Sequence, residues 1–175
     1  AGIGWALHAL ARYPEWQELV ASEGRAMGSV PQFDQLAVTR RVVSEILRLY
    51  PPAPLLARCA ARKMELGGYA VRKGQTVIVG IYPMQRHRTI WDRPDTFDPD
   101  RWLPGAAVPD AWMPFGTGPR MCIAAHFAQA EMAVVLARIL ARVRLEPAGP
   151  EPQVSLKVTT GSLSGLWGIA HKREP

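Results

Sequence analysis

From Pro83 to Pro119 the chain is rich in proline, aspartate and tryptophan and almost empty of hydrophobic periodicity. No other feature restricts the possible folds as much. An irregular segment this long inside a compact domain is functional far more often than idle. Regular structure is legible on both sides of it. Ile3 to Leu10 reads as the tail of a helix. Pro14 opens a second helix with an i, i+3, i+4 face of Trp16, Leu19 and Val20, which Gly24 and then Gly28 to Pro31 should break. A strongly amphipathic helix runs from Phe33 or Leu36 to Leu49, with Leu36, Val42, Val43, Ile46 and Leu47 on its apolar side, and Tyr50-Pro51-Pro52-Ala53-Pro54 ends it. Cys59 to Leu66 and Thr76 to Tyr82 read as strands joined through glycine turns. Beyond the irregular segment, Ile123 to about Val143 is the clearest helix. Its stripe is Ile123, Phe127, Ala130, Val134 and Ala137, widened by Leu136, Ile139 and Leu140. Val154 to Thr160 and Leu166 to His171 suggest a terminal hairpin. The class is α+β, mainly α, in a single domain covering residues 1–175.

The formal charge is +6, but arginines are scattered rather than packed into a tract, so no nucleic-acid partner is expected. Cys59 and Cys122 belong to no CxxC pair, which argues against structural zinc. Cys59, within a strand run, is expected to pack in the core. His8, His87, His126 and His171 lack ligand spacing and read as surface or cap residues, and Trp91, Trp102 and Trp112 as packing groups. The first residues form no secretory signal, and no run of about 18 apolar residues suggests a membrane span. The chain reads as if it starts in mid-protein.

Chemistry concentrates in Phe115-Gly116-Thr117-Gly118-Pro119-Arg120-Met121-Cys122-Ile123-Ala124. Two glycines and a proline shape a tight loop whose backbone can approach a flat ligand. The loop delivers a cysteine to the start of a long helix, where free N–H groups and partial positive charge favour thiolate over thiol. A thiolate held there is a good ligand for a soft or borderline metal. Arg120 can offer a carboxylate a bidentate fork. Upstream, Glu45 and Arg48 share one helix face at i, i+3, and Phe97-Asp98-Pro99-Asp100-Arg101-Trp102 sets another arginine within the irregular stretch.

In this order, these three segments resemble the cytochrome P-450 superfamily, which carries an ExxR pair, a Pro-Glu-Arg-Phe-like segment and an FxxGxRxCxG cysteine loop. Tyr50 to Pro54, Leu66-Gly67-Gly68-Tyr69 and Lys73-Gly74 are similar to the family's intervening text. The resemblance implies the C-terminal part of that fold: the J, K and L helices, a small β-sheet, the meander, the cysteine loop and a terminal β-hairpin. It implies haem b, iron protoporphyrin IX, with Cys122 as proximal thiolate. Arg120 and Arg58 would bind propionates, with Arg62 as the alternative to Arg58. Phe115 would shield the sulfur and Gly116 would shape the loop. Glu45, Arg48 and Arg101 would form a buried triad that fixes the loop beneath the haem.

The implied activity is a haem-thiolate monooxygenase acting on a small organic substrate, with a ferredoxin or flavoprotein reductase as electron donor, in a soluble cytoplasmic protein of bacterial type. The family's oxygen-activating acid–Thr helix is not legible here, so the chain alone is expected not to turn over. A peroxide-using haem-thiolate enzyme and a non-enzymatic basic interaction module are the rival readings. Three departures stand out: Ala124 replaces the usual glycine, Asp100 the commoner glutamate, and Gln85-Arg86 the usual His-Arg. With the last, the resemblance does not supply the polar contacts of that segment.

Overall fold

The computed structural model describes residues 1–174. Helices α1 (Gly2–Arg12), α2 (Pro14–Ala26) and α3 (Ala37–Leu49) come first. Strands β1 (Leu55–Cys59), β2 (Met64–Leu66), β3 (Tyr69–Val71) and β4 (Thr76–Gly80) follow, then a one-turn helix α4 (Ile81–Met84). The irregular segment carries only short 3-10 turns, at Pro99–Trp102 and Gly118–Arg120. Helix α5 (Ala125–Leu140) and strands β5 (Val143–Pro147), β6 (Val154–Leu156), β7 (Thr160–Ser162) and β8 (Gly168–Lys172) complete the chain. Among the described residues, no helix is long and apolar enough to cross a membrane.

The core lies where α1, α2, α3 and α5 meet, with Trp5, Leu10, Val20, Ile46, Leu136 and Leu140 among its buried side chains. Gly24 does not break α2, contrary to the expectation from sequence. The helix continues to Ala26 because α2 crosses α5 there. A Cβ on Gly24 would collide with the Ala137 carbonyl oxygen, so only glycine admits this approach. Helix α3 has no side-chain cap of its own. Glu23 of α2 supplies one, accepting bonds from the Val38 and Thr39 N–H groups and the Thr39 hydroxyl at 2.7–2.8 Å. A carboxylate at that end meets both the orphan donors and the helix dipole.

The strands differ from the sequence expectation in three ways. The run Cys59 to Leu66 is not one strand. β1 ends at Cys59 and pairs antiparallel with β4, while β2 turns back on β3. The second run ends at Gly80, and Tyr82 lies in α4. The terminal hairpin is two nested pairs: β6 with β7, and β8 with β5, the strand that follows α5. Cys59 is exposed rather than packed in the core, because an isolated two-stranded ladder leaves its outer face uncovered. His8 departs the other way. It is buried, edge-on to Trp5, and shares a hydrogen bond between its Nδ1 and Arg12.

Helix α5 also turns its apolar stripe differently. Ala125, Met132, Ala133, Leu136, Ala137 and Leu140 are buried. Ile123 lies before the helix and is fully exposed, and Phe127 is 70% exposed. The N-terminal third of the helix therefore presents apolar side chains outward.

Candidate functional site

Helix α3 holds the first half of the site. Its periodicity buries one face, and that face carries Glu45 and Arg48, both at zero exposure. Arg48 forms a two-pronged pair with Glu45: Nε to Oε2 and Nη2 to Oε1, each at 2.8 Å. Its other donors reach the carbonyls of Gln85 (2.9 Å), Pro94 (2.7 Å) and Thr96 (3.1 Å), and its guanidinium lies over the Trp91 ring. All five N–H groups of the arginine are thereby used. Glu45 also accepts from the Asp98 N–H and from Trp102 Nε1, both at 3.0 Å. Two buried charges thus find the hydrogen bonds that make such a pair tolerable away from water.

Arg101 sits at the edge of this pair. Its Nε is 3.5 Å from Glu45 Oε1, an ionic contact without hydrogen-bond geometry, while its Nη2 donates to the Arg93 carbonyl. The carboxylate's acceptor sites are already taken by Arg48, Asp98 and Trp102, which explains the distance. Trp102, read from sequence as a packing group, is a direct hydrogen-bond partner of Glu45. Trp112 likewise donates to the Ser44 carbonyl at 3.3 Å.

Gln85, which stands where the family usually has histidine, is fully buried. Its amide nitrogen donates to the Leu47 and Arg48 carbonyls at 2.9 and 3.0 Å, and its amide oxygen accepts the Met113 N–H at 2.9 Å. Arg86 caps the same helix end through the Leu49 carbonyl and pairs with Asp95. The polar contacts of this segment are thus abundant. Apart from Asp95, their partners are backbone groups, which leave no side-chain pattern to read.

The cysteine loop forms the second half. Gly116 adopts φ +73°, the left-handed region that an L side chain resists. A Cβ there would also press on Leu56 Cδ1 at 3.3 Å. The Met113 carbonyl accepts the Gly116 N–H at 2.9 Å, and the Phe115 carbonyl accepts the Cys122 N–H at 3.0 Å, closing the loop. Cys122 does not itself begin the helix. α5 starts three residues later, and the Cys122 carbonyl accepts the Ala125 N–H at 3.3 Å. Phe115 is half-buried against the core, whereas Arg120, Cys122 and Ala124 are exposed.

Arg58 lies on β1, exposed, with its side chain folded back on the Ala57 carbonyl. Residues two apart on a strand share a face, so Arg58 lies on the side of the ladder where Leu56 meets Gly116. Arg62 is outside the strand, in the bend after it. The structure thus brings Phe115, Gly116, Arg120 and Cys122 into one loop with Arg58 on the adjoining strand face, and Glu45 and Arg48 into one buried pair beneath the irregular segment with Arg101 at its edge. A cavity of about 760 Å³ lies elsewhere, between α3 and the irregular segment beside Arg41, Trp102 and Trp112.

Among the described residues no group of three or more His, Cys, Asp or Glu side chains could hold a bare metal ion. A single exposed thiol suits a metal that arrives with its other ligands. Met121 and Ile123, the thiol's neighbours in the chain, and Phe127 in the first turn of α5 are exposed apolar side chains of the kind that suit a flat macrocycle. Arg120 and Arg58 are cations suited to its carboxylates. These residues fit a haem.

A family profile described as Cytochrome P450 matches residues 1–165. The chain belongs to the cytochrome P450 family. It is 36% identical to human Cytochrome P450 4F12 over 95% of its own length and 34% of that protein's. To Cyclooctatin synthase of Streptomyces melanosporofaciens it is 37% identical over 93% of its length and 38% of the relative's. The chain thus spans about a third of the curated relatives it matches. The crystal structure of the cytochrome P450DA heme domain superposes on it with a TM-score of 0.87 at 31% identity, covering 99% of this chain and 41% of that one.

Proposed function

We propose that residues 1–175 are the C-terminal portion of a single P450 domain whose whole protein is a haem-thiolate monooxygenase. It would insert one oxygen atom of O2 into a small organic substrate, with electrons from a ferredoxin or flavoprotein reductase. Cys122 would hold the iron of haem b through its thiolate. When bound, the haem supplies the oxygen chemistry, and a thiolate ligand favours O–O cleavage.

The observation that carries this reading is the exposed Cys122 thiol on a loop closed by its own N–H to Phe115, with Arg120 on the same loop and exposed apolar residues at 121, 123 and 127. Each residue then has a task. Arg120 and Arg58 would hold the carboxylates, Gly116 permits close backbone approach, and Phe115 would keep water from the sulfur. Glu45, Arg48 and Arg101 fix the irregular segment against α3 so that the loop keeps its place. α1 carries neither an acidic residue nor a threonine to manage oxygen protons, so the 175 residues alone are not expected to turn over.

The test is the reduced, carbon-monoxide-bound absorption spectrum of the complete gene product. Wild type should show a thiolate-type Soret band, and Cys122→Ser should lose it. A band that survives in the variant assigns the ligand to another residue.

A further inference from the structure

We infer that Gln85 is a positioning residue for the cysteine: its buried amide fixes the cysteine loop to the end of α3. This deepens the haem-thiolate reading and rests on it. The geometry is one continuous path. The Leu47 and Arg48 carbonyls, in the last turn of α3, accept both amide protons of Gln85. The Gln85 amide oxygen accepts the Met113 N–H. The Met113 carbonyl accepts the Gly116 N–H, and the carbonyl of Phe115, next to Gly116, accepts the Cys122 N–H. At the other end, the Gln85 backbone carbonyl accepts from Arg48. The helix that carries the Glu45–Arg48 pair and the peptide that holds the cysteine are therefore tied by one side chain.

The amide suits the task. It offers two donors and an acceptor at fixed angles, and here all three are engaged at 2.9–3.0 Å in a side chain with no solvent exposure. An apolar replacement leaves two buried carbonyls and one partly buried N–H unmet. The Met113 peptide can then recover a partner only by shifting, and the Gly116 and Cys122 peptides move with it.

The structure also contains a matched control. Gln17 is equally buried and also makes three hydrogen bonds, to the Leu10 carbonyl and to both backbone groups of Leu145. None of its partners belongs to the cysteine loop. Gln17→Leu should destabilise the protein as Gln85→Leu does, without the same effect on the sulfur.

The experiment uses the complete haem-loaded gene product and reads two quantities, the melting temperature and the ratio of thiolate-type to thiol-type Soret bands in the reduced, carbon-monoxide-bound form. Gln17→Leu should lower the melting temperature and leave the ratio at the wild-type value. Gln85→Leu should lower both, the ratio by about fivefold for one lost hydrogen bond in the path. An unchanged ratio in Gln85→Leu, with a melting temperature lowered as in Gln17→Leu, overturns the inference. Should Gln85→Leu not accumulate folded, Gln85→His and Gln85→Glu decide. The imidazole keeps an acceptor for Met113 and a donor for one carbonyl, and should hold the ratio within about twofold. The carboxylate has no donor for α3 and should lose it about fivefold. Equal ratios in the two overturn the inference. A wild type without a thiolate-type band, or a Cys122→Ser variant that keeps one, sinks the haem-thiolate reading itself and the inference with it.

Discussion

The two halves of the site are built on opposite plans. Around Glu45 and Arg48, charge is buried and every donor and acceptor of the pair is engaged within the chain. Around Cys122, the backbone is fixed but the side chains of Arg120, Met121, Cys122 and Ile123 face outward. One half holds geometry and offers no chemistry. The other exposes the thiol on which the proposed function rests and contributes little to holding the fold. Reactive groups must stay accessible, so rigidity has to come from a neighbouring region.

This contrast can be broken by mutation. Glu45→Gln should have the largest effect, about 3–5 kcal/mol of lost stability, because Arg48 keeps its buried charge without a counter-ion. The denaturant midpoint measures it, and a loss below about 1 kcal/mol would mean that water reaches the pair. Trp102→Phe removes one neutral donor from the same carboxylate and should cost about 1–2 kcal/mol by the same assay. Arg101→Met should cost less, about 1 kcal/mol or under, since its contact with Glu45 is long and lacks hydrogen-bond geometry. A cost equal to that of Glu45→Gln would show a three-way network in place of a pair with a bystander.

His8 sets the pH at which these comparisons should be run. Burial, and then the Arg12 charge, hold its pKa below the ordinary 6.5. The unfolded chain therefore takes up the proton more readily. The contribution is fully present above pH 6.5 and is lost as the pH falls below that toward the folded pKa. A denaturant midpoint that drops over this range in wild type and stays flatter in His8→Gln would bear this out. Cys122→Ala should have the smallest effect, within about 0.5 kcal/mol in the absence of haem, as for an exposed surface position. A large loss would place the thiol in the framework after all.

Much of this was legible in the sequence, for reasons that differ by region. The cysteine loop shows because glycine, proline and cysteine each leave a local mark at their own position. The ExxR pair shows because helical spacing fixes which side chains share a face. Gln85 could not be recognised as a tie, since it bonds only to backbone carbonyls and one backbone N–H, and any residue supplies those. The Glu45–Trp102 bond was hidden because an indole reads as a packing group. The Ile123–Phe127 stripe was read as core because hydrophobicity does not reveal which way a helix face turns. The nested strand pairs at the end of the chain were misassigned because β8 finds its partner in β5, across a stretch that local turn signals do not span.

At Gly24, one missing methyl group lets two helices touch backbone to backbone. From that crossing at Ala137 to the start of α5 at Ala125 is about 18 Å at 1.5 Å per residue. Were a bulkier residue to prise the helices apart by a tilt of about 5°, the far end would swing by about 1.5 Å, half the length of a hydrogen bond. Gly24 thus acts as the fulcrum of a lever whose tip lies three residues from Cys122, and a change far from the cysteine loop would be felt most at the helix end beside it.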